Sequence, residues 1–315
     1  MSIDSRKVVV VGCGFVGSSS AFALMQSKLF SEMVLIDADH DRAEGEAMDI
    51  SHGMAFASPM KIYAGTYDDI TDAAVIVITA GANQKPDETR LDLIRKNSVI
   101  MKSIIGEIKK RPFEGILLIV SNPVDILTYI ALKESGYPAN RVIGSGTVLD
   151  TGRFRYELGE HLEVDSRSIH AFIIGEHGDS ELAAWSEARV GGMPIHDFCE
   201  LRGHYDHEAS MEKFNSVKNS AYEIIARKHA TYYGIAMAVC RICAAIVRNE
   251  QSILPVSSLM TGEYGLENVV LSIPAVVDEN GIETVVPIEL NEKELSELQQ
   301  SATVLKKVIA EFYPD

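Results

Sequence analysis

Cysteine, tryptophan and basic residues are all scarce in this chain, and each shortage excludes something. Four cysteines (Cys13, Cys199, Cys240, Cys243) and one tryptophan occur among 315 residues, too few thiols for a disulfide scaffold. Arginine and lysine number 29 against 45 aspartates and glutamates, a formal net charge of −16. The basic face with which a nucleic-acid binder neutralises phosphates is therefore missing. No apolar run approaches the ~20 residues of a bilayer-spanning helix, and no Asn-X-Ser/Thr acceptor occurs. The start passes from Arg6-Lys7 straight into the strand-length run Val8–Val11, which is not the pattern of a secretory leader. Together these absences predict a protein of the reducing cytoplasm, with no membrane or nucleic-acid partner. What remains, 46% hydrophobic and 23% charged residues, is the composition of a globular protein able to bury a large core.

Two short patterns imitate metal or redox sites and are read otherwise. Cys240-Arg-Ile-Cys243 is a C-x-x-C, but it lies inside the apolar stretch 235–247. On a helix its two cysteines share one buried face, so they are packing residues. His204-Tyr-Asp-His207 has no further ligands to complete a set and is read as a solvated loop. No metal is expected.

The first ~145 residues alternate β-branched runs with helical patterns, as βαβ units do. Strands are predicted at 7–11, 33–37, 75–79, 116–120 and 142–144, and helices at 17–26, 90–110 and 123–135. The strand runs are unbroken rather than alternating, which predicts a parallel sheet covered on both faces. After Gly146 the texture changes: strand-like pieces (169–174, 269–277, 282–288) mix with long helices, one pattern spanning 208–248. A last helix starts at Asn291 with Glu294 three residues on, a capping box. The fold class predicted is α/β, a doubly wound parallel sheet (1–146) followed by a smaller α+β domain (147–315).

Val8–Val11 runs into Gly12-Cys-Gly-Phe-Val-Gly17, a G-x-G-x-x-G that opens a helix. Its glycines permit a tight turn and close approach to a pyrophosphate, while the helix end supplies unpaired N–H groups. The next strand ends at Asp37, 20 residues after Gly17, where a carboxylate binds ribose hydroxyls and repels a 2′-phosphate. NAD is the cofactor this combination predicts.

Three further motifs carry polar chemistry. Ala80-Gly-Ala-Asn-Gln-Lys-Pro-Asp-Glu-Thr-Arg90 follows a buried strand and places a neutral amide, Gln84, six residues before a cation, Arg90. Ile173-Ile-Gly-Glu-His-Gly-Asp-Ser180 sets His177 between glycines at a strand end. In Gly146-Thr-Val-Leu-Asp-Thr-Gly-Arg-Phe-Arg155, a helix brings Asp150 and Arg153 to one face and turns Arg155 about 200° from Arg153.

With these motifs, and with SNPVD and ATYYGIA, the chain resembles the NAD-dependent L-lactate dehydrogenases of the lactate/malate dehydrogenase family. The likeness runs from Lys7 to the last helix. The resemblance implies that His177 exchanges a proton with the substrate's C2 oxygen, a task suited to a near-neutral pKa. It implies that Asp150 orients and charges that imidazole, and that Arg153 clamps the substrate carboxylate with its planar fork. Arg90 would polarise the carbonyl from a closing lid, Asn122 would bond the same oxygen, and Thr231 would line the pocket. The resemblance further implies a cis bond between Asn122 and Pro123. Around the cofactor it places Gly12, Gly14, Val16, Gly17, Asp37, Arg42, Tyr67, Gly81, Ala82, Ser103, Val120, Asn122 and Ser145.

Malate-specific relatives resemble this chain but carry arginine where Gln84 stands, so the amide implies a small neutral substrate side chain, with lactate and pyruvate first. Arg155 and His170 match the pair that binds fructose 1,6-bisphosphate in allosteric bacterial members, which are tetramers; a helix-surface arginine and a strand histidine are the alternative reading. Two departures stand out: Asp87 occupies a lid position that is usually glycine, and Ala183-Ala184 replaces the usual Pro-Val. A malate or longer-chain 2-hydroxyacid dehydrogenase, and a non-catalytic dinucleotide-binding protein, are the competing readings.

Overall fold

The computed structural model describes residues 4–82, 89–203, 220 and 223–314. These fall into two compact units that are discontinuous in sequence. The first takes Met1–Ser145, Tyr232–Ser252 and Val276–Thr284, and the second takes Gly146–Thr231, Ile253–Ala275 and Val285–Asp315.

In the first unit, six strands pair in parallel: β1 (Asp4–Val11), β2 (Glu32–Ile36), β3 (Lys61–Ala64), β4 (Ala73–Ile78), β5 (Ile116–Ile119) and β6 (Val142–Gly144). Their spatial order is β3-β2-β1-β4-β5-β6, that of a doubly wound dinucleotide-binding sheet. Every residue of β4 and β5 is buried, as the unbroken apolar runs predicted. Helices α1 (Phe15–Ser27), α2 (His40–His52), α3 (Arg90–Ile108) and α4 (Val124–Ser135) belong to the crossovers. Strand β3 was missing from the sequence reading. It is a half-exposed strand of four residues, Lys-Ile-Tyr-Ala, pairing only with β2, and has no apolar run to announce it.

The contacts group some residues beyond 146 with the first unit, and one helix expectation needs correction. Residues 232–252 and 276–284, assigned from sequence to the second domain, pack with the first. The cause is an apolar helix, Tyr233–Val247, whose buried Ala236, Val239, Cys240 and Cys243 belong to a face that meets α1. Phe15, opening α1, stacks on Tyr232 with ring centroids 5.4 Å apart. Nor does one helix run through 208–248: the pattern breaks at His229, which takes a left-handed φ of +68°, and Tyr232 caps the following helix. The doublet His204/His207 lies outside the described residues. Cys240 and Cys243 are free and buried, and burial pushes the Cys240 thiol up to about 11.

The second unit begins with α5 (Val148–Leu162). Gly146 enters it at φ +54°, where a Cβ would fall 2.6 Å from the Ser257 nitrogen. The predicted strand 169–174 is two short pieces, β7 (Ile169–His170) and β8 (Ile173–Ile174); β8 forms an antiparallel pair with β9 (Leu182–Ala183). Similarly, 269–277 divides around Ile273-Pro274 into Glu267–Ser272 and Ala275–Asp278, since proline cannot donate to a ladder. The core joins Phe154, Leu158 and Leu162 of α5 to Ile169, Ile173 and Ala183, with Trp185 edge-on to Phe154 at 5.0 Å. The helix Glu292–Phe312 closes the unit through the predicted Asn291–Glu294 capping box. Phe154 is fully buried, so Phe154→Ala is expected to lower the unfolding free energy by about 3–5 kcal/mol, measured by urea denaturation.

Candidate active site

In the second unit, α5 and the β8–β9 connection build a charged cluster. Thr147, which immediately precedes α5, and Thr151 in α5 stand one turn apart. Thr147 donates its hydroxyl to the Ile173 carbonyl at 2.5 Å, and Ile173 donates its N–H to Thr151 Oγ1 at 2.9 Å. This fixes β8 against the helix. Gly175 then exchanges both backbone bonds with Ser272 at 2.8 and 2.9 Å, with φ at +91°. The Glu176 N–H reaches Ser301 Oγ on the closing helix at 2.8 Å, and Ser180 donates to the Glu176 carboxylate. His177 leaves this anchored loop, and its Nδ1 lies 2.6 Å from Asp150 Oδ2.

Asp150 sits in the first turn of α5, where the helix dipole favours a negative charge. Its other oxygen accepts from Arg153 Nη1 at 3.0 Å, and Arg153 Nη2 reaches Thr231 Oγ1 at 3.4 Å. Burial opposes ionisation of Asp150, but the His177 imidazole and then the Arg153 guanidinium outweigh it, holding the carboxyl below its ordinary range. The Asp150 side chain is only 4% exposed, whereas His177 keeps 26%. An imidazole oriented from its Nδ1 side by a buried carboxylate, and still open to solvent, is suited to proton exchange. Arg153 uses two of its donor nitrogens internally and, by its five N–H groups, retains others for an anion.

The first unit holds the glycine loop. Gly12 takes φ +98°, and a Cβ there would meet the Ala80 nitrogen at 2.5 Å; at Gly17 a Cβ would run into the Gly12 carbonyl. Nothing lies within 4 Å of a Cβ built on Gly14. Two glycines thus serve packing, and the third leaves open space at the start of α1, where a dinucleotide pyrophosphate is held. Asp37 follows β2 and accepts the Cys13 N–H at 2.6 Å and the Asp39 N–H at 2.9 Å. It therefore organises the loop as well as offering a carboxylate to ribose. Burial, then Asp37 and Glu46, push the Cys13 thiol up to about 12. These features fit a dinucleotide.

The remaining expected positions are distributed around this frame. Val16 and Gly17 lie in α1, Arg42 is exposed on α2, and Ser103 is exposed on α3. Tyr67 opens a short 3-10 turn, its phenol pushed up to about 12 by burial and by Glu107. Gly81 and Ala82 follow β4, while Val120 and Ser145 are buried beyond β5 and β6. The Asn122–Pro123 bond is cis. Arg90 is described through its backbone as the first residue of α3, which Thr89 and Asp92 cap. Gln84 and Asp87 lie outside the described residues. Arg155 Nε donates to the Ala171 carbonyl at 2.9 Å and its guanidinium lies over the Phe172 ring, while His170 is exposed on β7.

Residues 6–144 match the lactate/malate dehydrogenase NAD binding domain, and residues 147–313 match the lactate/malate dehydrogenase alpha/beta C-terminal domain. The chain belongs to the lactate/malate dehydrogenase family. Among its relatives, an L-lactate dehydrogenase of Acetivibrio thermocellus is 54% identical over 305 residues, covering 96% of each chain. L-lactate dehydrogenase 1 of Clostridium acetobutylicum is 52% identical, over 96% of this chain and 97% of its own. The crystal structure of a minor L-lactate dehydrogenase from Enterococcus mundtii in its ligands-bound form superposes with a TM-score of 0.96. It is 46% identical and covers 99% of this chain and 100% of its own. NAD is the family's cofactor, and the glycine loop with Asp37 is where this lactate/malate dehydrogenase chain would hold it.

Several supporting residues were missed in the sequence reading. Thr79 donates to the Gly12 carbonyl at 2.7 Å, and the Ser121 hydroxyl donates to the Ala80 carbonyl at 2.6 Å. Buried Asn97 bonds both backbone groups of Ala82 and the Asn122 carbonyl. Asn97 carried one readable signal, an amide among the apolar residues of a helix. Glu181, four residues after His177 and close to it in the fold, carried none, because spacing in a loop does not show which way a side chain turns.

The glycine geometry makes a test. Gly14→Ala is expected to leave the urea midpoint close to wild type while raising the NADH Kd about tenfold or more. Gly17→Ala should lower the midpoint itself, because its Cβ has no room. Equal effects of both changes on stability and affinity would contradict this division of labour.

Proposed function

We propose that this chain is an L-lactate dehydrogenase, catalysing reversible hydride transfer between L-lactate and NAD to give pyruvate and NADH. The observation that carries this reading is the His177–Asp150–Arg153 cluster, in a chain about half identical over nearly its whole length to relatives named L-lactate dehydrogenase. The bound cofactor supplies or accepts the hydride at the substrate's C2. Everything else falls to side chains. His177 gives a proton to the C2 oxygen in reduction and takes it back in oxidation. Asp150 keeps the imidazole oriented and stabilises its charged form, and Arg153 grips the substrate carboxylate. Arg90 and Asn122 polarise the carbonyl, and Thr231, bonded to Arg153, lines the substrate side.

Gln84 is assigned the choice of substrate. A second carboxylate, as in oxaloacetate, would be enclosed without a countercharge, at a cost of several kcal/mol. The cofactor residues assigned are Gly12, Gly14, Val16, Gly17, Asp37, Arg42, Tyr67, Gly81, Ala82, Ser103, Val120, Asn122 and Ser145. The enzyme is placed in the cytoplasm, at the last step of anaerobic glycolysis, as a homotetramer. Among the described residues no helix is long and apolar enough to cross a membrane.

Arg155 and His170 are assigned to a fructose 1,6-bisphosphate site that activates the assembly. Arg155 supports this only in part. Burial lowers its pKa, and one of its donors is already used on Ala171.

NADH oxidation measured with pyruvate, oxaloacetate and 2-ketoisocaproate tests the reading. Pyruvate is expected to give the highest kcat/KM, and activity on none of the three would leave only a binding protein. Gln84→Arg is expected to shift the oxaloacetate-to-pyruvate ratio by tenfold or more toward oxaloacetate, and an unchanged ratio would remove Gln84 from its role. Adding fructose 1,6-bisphosphate is expected to lower the pyruvate KM and increase the sedimenting mass. If Arg155→Gln responds to the sugar as wild type does, that assignment is wrong.

A further inference from the structure

His177 faces two carboxylates. One oxygen of Glu181, one nitrogen of His177 and one oxygen of Asp150 all lie within 4.8 Å of one another. Glu181 is 8% exposed and Asp150 3%, so bulk water does little to screen either charge. The position of Glu181 is fixed by the fold. Its own N–H bonds the Gly178 carbonyl at 3.2 Å, and Leu182, the next residue, begins β9. The carboxylate thus joins the cluster from just before β9, whereas α5 delivers Asp150.

Among the described residues, the charged groups around this imidazole are Asp150 and Arg153 from α5 and Glu176, Asp179 and Glu181 from its own loop. Glu176 engages the Ser180 hydroxyl, and Asp179 is exposed. Asp150 and Glu181 are the carboxylates with an oxygen within 4.8 Å of a His177 ring nitrogen. With the imidazole protonated, each has a positive charge close by. When the proton leaves, both lose that countercharge in poorly hydrated surroundings. Low-dielectric surroundings disfavour that state, and Glu181 adds to the effect of Asp150.

We propose that Glu181 is a positioning residue for the proton transfer, a second carboxylate that holds His177 in its protonated form. In the ketone-reducing direction it would keep the proton donor loaded at higher pH, and in the oxidising direction it would delay the appearance of the base. Asp150 bonds and orients the ring, whereas Glu181 sets the pH at which the ring works. This rests on His177 being the proton carrier.

The pH profile of kcat/KM for pyruvate, with NADH saturating, reads the titration of the donor before pyruvate binds. Two neutral variants, E181Q and E181M, are to be compared with E181D, so that one folded neutral protein is enough. The apparent pKa is expected to fall by about one unit in the neutral variants, with roughly tenfold lost at alkaline pH. The acid plateau should stay within a few-fold of wild type, and E181D should stay close to wild type throughout. A merely structural role would lower the plateau and leave the pKa in place, and that outcome overturns the proposal. NMR titration of the His177 ring in the NADH complexes gives the same shift without relying on turnover. His177→Asn separates the two claims. If it abolishes reduction while E181Q leaves the pKa unmoved, only the role of Glu181 fails. If it retains the profile, the assignment of His177 fails as well.

Discussion

The backbone of Ile173 is held from one side by two threonine hydroxyls at the start of α5, one accepting its N–H and one donating to its carbonyl. A two-residue strand satisfies few of its own polar groups, and buried backbone groups must find partners. By giving those partners from a single helical turn, Thr147 and Thr151 set the register between the helix and the loop that follows β8. Asp150 lies between the two threonines in sequence and His177 lies four residues beyond Ile173. Their 2.6 Å contact is a consequence of that register. A slip of one residue in β8 would turn its side chains to the other face and separate the pair.

The same logic governs charge. Burial at 4% exposure opposes the charge on Asp150; His177 and Arg153, with the helix dipole, outweigh it. Arg153 in turn is held by Asp150 and Thr231, which reduces the conformational entropy it must lose on gripping an anion. Glu181 brings a second buried carboxylate within 4.8 Å of a His177 ring nitrogen.

In the first unit the glycines divide into two physical kinds. Gly12 and Gly17 have no room for a side chain, whereas Gly14 borders open space at the start of α1, where a dinucleotide's phosphates would lie. Asp37 joins the two purposes, since it bonds the N–H of Cys13 inside the glycine loop.

Sequence alone determined the features that arise locally. Unbroken apolar runs announced β1, β2, β4, β5 and β6, the capping box announced the last helix, and the glycine loop with Asp37 announced the dinucleotide. Motifs of contiguous residues also marked His177, Asp150 and Arg153, which the fold brings together. Tertiary structure alone decided the rest. The strand β3 was hidden because a short half-exposed strand lacks apolar periodicity. The return of Tyr233–Val247 to the first unit was hidden because an apolar face does not say which surface covers it. Thr147, Thr151, Asn97 and Ser301 were hidden because a hydrogen bond is a relation between distant chain positions, and Glu181, only four residues after His177, because spacing does not show which way a loop turns its side chains. Composition and spacing describe what each residue is able to do, and only folding chooses the partner with which it does so.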